Sequence, residues 1–143
     1  IPVCAHMGLT PQSINRIGGF FVQGRDPSSH SKIIEEALSL ESAGAELLLL
    51  ECIPDELTKK ISQVIKIPTI GIGASSKCDG QILVTEDMVG LTDISPKFVK
   101  QYINIGELIK DAAVQYRKEV ISREFPTKNH VYGMTPTIVK KEK

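Results

Sequence analysis

The chain has 143 residues, of which 41% are hydrophobic and 24% charged, and its 17 basic residues balance its 17 acidic residues. A chain of this length and composition can bury one hydrophobic core, so we expect a globular protein. The zero net charge argues against a nucleic-acid-binding surface and against a polybasic membrane anchor. No apolar run approaches the roughly 20 residues that a membrane-spanning helix needs.

Three cysteines, Cys4, Cys52 and Cys78, are scattered along the chain. They show none of the paired spacings that are typical of structural zinc sites or of a disulfide framework. Scattered cysteines in odd number suit a reducing compartment, so we expect a cytoplasmic protein.

Four short apolar runs predict β-strands, at residues 1–5, 47–50, 68–72 and 82–84. None of them alternates apolar with polar residues, which indicates strands that are covered on both faces, as in a parallel sheet. Each run leads into polar or glycine-containing residues, where a loop is expected.

Helical patterns stand between and after these runs. Residues 31–42 place apolar side chains at helical spacing. A second helix is predicted from Pro54, because proline and acidic residues suit the first turn of a helix. A last helical block is predicted at residues 96–123, split near Gly106.

This alternation of strands and helices predicts an α/β protein with a parallel sheet. Two architectures fit the pattern, an open doubly wound sheet and part of an eight-stranded barrel. In both architectures the functional residues gather where the strands end, so the residues that follow each apolar run are the candidates for a site.

Glu51 follows four leucines, which places a carboxylate at the end of an apolar strand. A partly buried carboxylate at such a position suits a general base. The alternative is a solvated glutamate that only ends the strand ahead of the helix at Pro54.

His6 stands at the matching position of the first predicted strand. An imidazole there can donate a hydrogen bond to a substrate oxygen or bind a metal. The alternative is a loop histidine that bonds to the backbone. The other two histidines, His30 and His130, are expected to be solvated.

Two loops carry glycine patterns. The first, at residues 71–76, lacks the third glycine and the following helix of a dinucleotide-binding motif. Its glycines are therefore expected to allow close approach to a ligand or tight packing. The second, at residues 15–26, is long enough to predict a lid or an interface segment. An exposed Phe20–Phe21 pair in that loop would fit a subunit contact, and a pair folded onto the core is the alternative.

Five motifs in fixed order make the sequence recognisable: His6-Met7-Gly8-Leu9-Thr10-Pro11-Gln12, Val22-Gln23-Gly24-Arg25, Leu50-Glu51-Cys52-Ile53-Pro54, Gly71-Ile72-Gly73-Ala74 and Asp79-Gly80-Gln81-Ile82-Leu83-Val84. Together they resemble the ketopantoate hydroxymethyltransferases, and the likeness extends over nearly all of residues 1–130. Five ordered motifs are a more specific signal than any one of them alone.

The resemblance implies the C-terminal half of a (βα)8 TIM barrel, with four parallel βα units that correspond to strands five to eight. This half-barrel is expected over residues 1–123, followed by a C-terminal tail at residues 124–143. Whole barrels of this type typically have about 250 residues. The family transfers a hydroxymethyl group from 5,10-methylenetetrahydrofolate to 3-methyl-2-oxobutanoate, which gives 2-dehydropantoate on the route to pantothenate and coenzyme A.

The resemblance also assigns roles to residues of this chain. Glu51 matches the family's proton acceptor, and His6 matches a histidine of the substrate pocket. The family uses Mg²⁺, whose ligands lie in the first half of its barrel with a substrate-binding lysine. Those positions have no counterpart in this sequence, so we expect no metal ligand in this chain. The expectation is then a chain that is inactive by itself, or a fragment of a longer chain that carries the metal site. Ser75 stands where many members carry Gly.

As partners the resemblance implies a small α-keto acid and a folate, with no nucleic acid and no membrane. The family assembles as a cytoplasmic homo-oligomer, commonly a decamer. Two other interpretations remain open at this point. One is a non-catalytic half-barrel that acts as an assembly partner, and the other is a different Mg²⁺-dependent barrel enzyme that acts on α-keto acids.

Overall fold

The structure is a computed structural model that describes residues 1–93 and 95–134. Its strands are β1 (Cys4–Gly8), β2 (Leu47–Glu51), β3 (Thr69–Ile72) and β4 (Gly80–Gln81). Its α-helices are α1 (Ile14–Ile17), α2 (His30–Ser42), α3 (Asp55–Val64), α4 (Thr85–Met88) and α5 (Ile105–Ser122). Within the described ranges, no helix combines the length and the apolar character that crossing a membrane requires.

The four strands form one parallel sheet in the order β1-β2-β3-β4. The spatial order follows the chain order without a reversal, whereas an open doubly wound sheet changes direction at a switch point. Helices follow β1, β2 and β4, and a loop joins β3 to β4. The predicted α/β class is confirmed, and the sequential parallel order is that of consecutive strands in half of a (βα)8 barrel.

Two of the predicted strands are displaced. β1 begins at Cys4 rather than Ile1, because its ladder with β2 starts at the Cys4–Leu47 pair. β4 lies at Gly80–Gln81, ahead of the predicted residues 82–84, because the Asp79-Gly80 bend delivers Gly80 directly beside Ile70 of β3.

Burial alternates along β2, which corrects the prediction of strands covered on both faces. Leu48 and Leu50 are fully buried, whereas Leu47 and Leu49 are half-buried. The reason is that α2 and α3 supply their apolar side chains to the buried face, where they complete the core. The core side chains are Ala5, Met7, Ala37, Ala45, Leu48, Leu50, Ile53, Leu57, Ile61, Ile65 and Cys78.

The helix that follows β2 begins where the sequence predicts. Pro54 is the N-cap of α3, and Asp55 and Glu56 stand in its first turn, where acidic groups suit the positive end of the helix dipole. Leu57 and Ile61 lie one turn apart on the same face and are fully buried. This packing places the start of α3 directly behind the end of β2.

The last helical block is shorter than predicted. Residues 96–104, which were predicted to be helical, form no helix. The helix α5 begins after Asn104, whose side chain accepts a hydrogen bond from the Glu107 amide. No residue of α5 is buried. Beyond it, the Phe125 ring packs edge-on against Tyr116. Of the predicted tail, residues 135–143 lie outside the described residues.

A polar latch holds β3 to the loop that leads into β4. The Asp79 carboxylate accepts hydrogen bonds from the Thr69 backbone amide, at 2.8 Å, and from the Thr69 hydroxyl, at 2.9 Å. In return the Asp79 amide donates to the Thr69 hydroxyl oxygen at 3.2 Å. The backbone bond from Thr69, followed by the bond from its hydroxyl, lowers the pKa of Asp79 below its usual 3.8.

Because the core covers one face of the sheet, replacing two neighbouring leucines by alanine should lower the free energy of unfolding by unequal amounts. Leu48→Ala should lower the free energy of unfolding by about 2–5 kcal/mol, because it empties a fully buried site. Leu47→Ala should lower the free energy of unfolding clearly less, because that side chain is only half-buried. Urea unfolding of both variants checks this, and equal losses would show that the second face of the sheet is covered as well.

The latch predicts a pH-dependent loss of stability. A carboxyl group with a lowered native pKa stabilises the fold above its unfolded pKa of 3.8, and this stabilisation disappears as the pH falls through the lowered value. Asp79→Asn should therefore destabilise the protein at pH 7 and converge with the wild type below that window. Thermal melts across pH measure this, with Asp111→Asn on the exposed α5 as control. A constant difference at all pH values would contradict it.

Candidate functional site

The site begins with two strands that end side by side. The parallel register pairs Gly8 with Glu51 and His6 with Leu49. Side chains alternate along a strand, so His6 and Glu51 project from the same face of the sheet, near the carboxyl ends of the two strands. His6 Nε2 lies 3.1 Å from Glu51 Oε2. The two residues that the sequence predicts at one end of the sheet are thus in direct contact.

This pair is partly open to solvent. The side chain of His6 is 26% exposed and that of Glu51 is 18% exposed. With its proton on Nε2, His6 donates a hydrogen bond to Glu51 Oε2, which leaves Glu51 Oε1 available to another group. A carboxylate that is anchored through one oxygen and open at the other can accept a proton from a bound molecule.

The peptide group that follows Glu51 is held at both ends. Its carbonyl oxygen, on Glu51, accepts a hydrogen bond from the Leu9 amide at 2.8 Å. Its N–H, on Cys52, donates to the Ile72 carbonyl at 2.9 Å. Cys52 then turns the chain with φ 51°, a left-handed conformation that is uncommon outside glycine. Its carbonyl accepts from the Gln23 amide at 3.0 Å, which joins the long loop to the site.

The thiol of Cys52 is not suited to chemistry. Burial raises the pKa of Cys52, and the adjacent Glu51 carboxylate raises it further. The thiol therefore stays protonated at neutral pH, and it is the thiolate that acts as nucleophile or metal ligand. The role of Cys52 at the site lies in its backbone.

A groove of about 1110 Å³ opens beside His6. Three cationic side chains, Arg16, Arg25 and Lys32, contribute to its walls, together with acidic residues of α2. Arginine and lysine at the rim of such a groove are suited to carboxylate groups.

The Phe20–Phe21 pair lies in the same long loop. Phe20 is 75% exposed and Phe21 is 59% exposed, so neither ring folds onto the core. Of the two alternatives for this pair, exposed or folded onto the core, the structure shows the exposed one.

The glycine loop after β3 serves packing. Gly73 has φ 60°, and a β-carbon there would lie 2.7 Å from the ring of Phe98. The Ser75 hydroxyl donates to the Asp55 carboxylate at 2.6 Å, which ties the loop to the first turn of α3. Ser75 is thus fully buried and hydrogen-bonded.

The remaining histidines differ from each other. His30 Nε2 lies 3.0 Å from the Gly24 carbonyl and is half-buried, so the prediction that it is solvated is wrong. The residue closes the long loop onto the start of α2, which the sequence pattern did not show. His130 is exposed and bonds to Thr127 in a short turn.

Among residues 1–93 and 95–134, no three His, Cys, Asp or Glu side chains gather closely enough to hold a metal ion. The donor set at the site is one imidazole and one carboxylate, which does not make the oxygen-rich cage that Mg²⁺ prefers. The residues present therefore do not by themselves form a magnesium site.

Sequence reasoning missed the residues that set the backbone of the site. Gly8, Cys52 and Gln23 all belong to the recognised motifs, but none was assigned a role. A glycine at the end of a strand is a signal for close approach of another backbone. No local pattern indicates the left-handed turn at Cys52, because it follows from the contact with the long loop.

Comparison with known proteins agrees with this picture. The model of the ketopantoate hydroxymethyltransferase family matches residues 1–128. A 3-methyl-2-oxobutanoate hydroxymethyltransferase of Clostridium novyi (strain NT) is 51% identical over 142 residues, which are 99% of this chain and 52% of that protein. A relative of the same name from Bacillus pumilus (strain SAFR-032) is 52% identical over 140 residues, 97% of this chain and 50% of its own length.

A third relative of that name, from Bdellovibrio bacteriovorus, is 50% identical over 134 residues, 93% of this chain and 51% of its own length. The chain spans about half the length of the curated relatives it matches, and that half is the C-terminal one. The family match and the alignments with these relatives each cover nearly the whole chain. It therefore belongs to the ketopantoate hydroxymethyltransferase family.

Proposed function

We propose that this chain forms the C-terminal half of a barrel enzyme that transfers a hydroxymethyl group from 5,10-methylenetetrahydrofolate to 3-methyl-2-oxobutanoate. The product is 2-dehydropantoate, a precursor of pantothenate. The observation that carries the proposal is the contact of Glu51 with His6 at the carboxyl edge of the sheet, 3.1 Å between Oε2 and Nε2. The reaction is proposed from family membership, and the Glu51 carboxylate in this contact is proposed as its base.

Glu51 is the general base in this proposal. The keto acid has one hydrogen on C3, next to its ketone, and that proton must leave before a carbon–carbon bond can form there. The Glu51 carboxylate takes the proton, and the electron pair of the C–H bond forms the enolate, whose C3 attacks the methylene carbon of the folate. The new C–C bond replaces the bonds from that carbon to the folate nitrogens, water supplies the hydroxyl oxygen, and tetrahydrofolate leaves. The partial burial of Glu51 and its anchorage through Oε2 keep the carboxylate aimed and incompletely hydrated.

His6 binds the substrate in the same proposal. An imidazole that carries protons on both ring nitrogens donates from Nε2 to Glu51 and from Nδ1 to an oxygen of the keto acid. The neighbouring groove carries three cationic side chains, Arg16, Arg25 and Lys32, and three acidic ones, Asp26, Glu35 and Glu36. Both the keto acid and the folate carry carboxylates, for which the arginine and lysine side chains are suitable partners.

Mg²⁺ enters the proposal only through the family resemblance. Its ligands are assigned to the first half of the barrel, outside this chain, and the described residues do not form a site for it. None of the steps assigned to Glu51 or His6 is routed through the metal.

We also propose a cytoplasmic homo-oligomer. The exposed Phe20–Phe21 pair and the unburied helix α5, with Leu108, Ile109 and Ile121 on its surface, support association. These same surfaces are what a non-catalytic assembly partner would use, and that second candidate differs by not needing Glu51. The three free thiols suit a reducing compartment.

Glu51→Gln should remove the base while keeping the shape of the side chain. For the assay, the N-terminal half of the Clostridium novyi relative is joined ahead of this chain, because the chain covers 52% of that protein. In this joined protein we expect the exchange of the C3 proton of 3-methyl-2-oxobutanoate with deuterium to slow by about 10²–10⁴-fold. Glu46→Gln, at the residue just before β2, is the matched control.

The exchange is followed by NMR in D2O without folate, so that it reports proton removal alone. An unchanged rate in Glu51→Gln, with the joined protein folded and active, would remove Glu51 from the mechanism. Assaying this chain alone in parallel tests the expectation that it is inactive by itself.

His6→Gln should act mainly on substrate binding. The amide keeps a hydrogen-bond donor toward Glu51 but loses the second ring nitrogen, which is proposed to face the keto acid, so KM for the keto acid should rise more than kcat falls. Steady-state kinetics of the joined protein measure both, with His130→Gln, in the exposed turn after α5, as control. A fall in kcat at constant KM would instead place His6 in the chemical step.

A further inference from the structure

The end of β1 approaches β2 more closely than a side chain allows. Gly8 pairs with Glu51 and has φ 92°. A β-carbon at Gly8 would overlap the Glu51 carbonyl oxygen and would lie 2.8 Å from Cγ1 of Ile53. Glycine is therefore the residue that lets the two backbones meet at this point.

This approach clamps the peptide group between residues 51 and 52. On one side the Leu9 amide, directly after Gly8, donates to the Glu51 carbonyl at 2.8 Å. On the other side the Cys52 N–H donates to the Ile72 carbonyl at 2.9 Å. Both neighbouring strands thus fix the same peptide plane, and with it the Cα–Cβ direction of Glu51.

Cys52 fixes the turn that follows. Its φ of 51° is left-handed, a conformation that the β-carbon of an L-residue makes unfavourable. The turn is held by the Gln23 amide, which donates to the Cys52 carbonyl at 3.0 Å, and by the burial of Ile53. Strain of this kind is retained where the surrounding contacts determine the backbone, and here it lies next to the candidate base.

We propose that Gly8 and Cys52 are positioning residues for Glu51. They hold the 51–52 peptide so that the carboxylate stays in contact with His6 and within reach of the substrate's C3 proton. The inference rests on the proposed role of Glu51 as general base. A base must lie within hydrogen-bond reach of its proton, and a misplacement of about 1 Å can cost about 10²-fold in rate.

Gly8→Ala tests the first residue, with Gly44→Ala as its matched control. Both glycines have strongly positive φ, 92° and 97°, so alanine imposes similar backbone strain at each. A β-carbon at Gly44 meets nothing within 4 Å, whereas one at Gly8 meets the Glu51 carbonyl. In the joined protein, Gly8→Ala should lower kcat and the rate of C3 exchange by about 10²-fold, with little change in KM.

Gly44→Ala should leave kcat per folded molecule unchanged, although it too lowers the melting temperature. A purely structural role for Gly8 would make the two variants alike in this respect. Equal kcat values for Gly8→Ala and the wild type would overturn the proposal.

Cys52 supplies a second test that does not depend on the folding of Gly8→Ala. Cys52→Val places a β-branched side chain at φ 51°, which makes the left-handed turn far less favourable. Arg123→Val is the matched control, because Arg123 has φ 62° and lies exposed after α5, away from the site. Per folded molecule, we expect Cys52→Val to lower kcat several-fold at unchanged KM and Arg123→Val to keep the wild-type kcat. A wild-type kcat in Cys52→Val would overturn the positioning role of Cys52.

A Glu51→Gln background separates this inference from the proposed function. If Gly8 acts through Glu51, adding Gly8→Ala to Glu51→Gln should cause no further loss of C3 exchange. A further loss of full size would show that Gly8 acts through another group and would overturn the inference. If Glu51→Gln itself leaves exchange unchanged, the proposed function fails. If Glu51→Gln slows exchange and Gly8→Ala does not, only the positioning role fails.

Discussion

The parallel pairing of β1 with β2 is the interaction on which the rest of the structure depends. Its register, with Cys4 beside Leu47 and Gly8 beside Glu51, decides which side chains share a face. A slip of one residue would turn every side chain of one strand to the opposite face. Leu48 would then leave the core, and His6 would lose its contact with Glu51. Stability and the candidate site are thus set by the same ladder of hydrogen bonds.

The two faces of the sheet have different roles. One carries fully buried leucines and receives α2 and α3, which makes it the hydrophobic core. The other carries His6, Glu51 and the half-buried leucines of β2. In a closed barrel such a face points to the interior, where side chains of alternate strands meet in layers. Leu47 and Leu49 are half-buried, as side chains in a barrel interior are when only half of the barrel surrounds them.

Rigidity at the site comes from the backbone. The peptide after Glu51 bonds to strands on both sides, and the turn at Cys52 is held by the loop that carries Gln23. The Glu51 side chain has three rotatable bonds, so the fixed Cα–Cβ direction and the contact with His6 together restrict where its oxygens can lie. This arrangement uses the close approach at Gly8, which a side chain would prevent. The site is therefore built from main-chain contacts first and side-chain chemistry second.

Local pattern was sufficient for much of the fold and for the two central site residues. Four leucines followed by Glu51, and Pro54 with acidic residues after it, predict a strand, a carboxylate at its end and a helix start, and the structure has all three in place. Prediction was weaker where partners decide the outcome. The first strand begins at Cys4 because its partner begins at Leu47, and His30 is half-buried because Gly24 lies against it.

The sequence by itself determined the α/β class and the family and singled out Glu51 and His6 as candidate site residues, because apolar runs, caps and ordered motifs are local properties of the chain. Only the tertiary structure decided that the sheet is covered on one face, that Nε2 and Oε2 meet at 3.1 Å, and that Gly8 and Cys52 hold the backbone of Glu51. The physical reason is that these features arise from contacts between residues about 45 positions apart in the chain, as His6 and Glu51 are. No local pattern contains the register that brings them together.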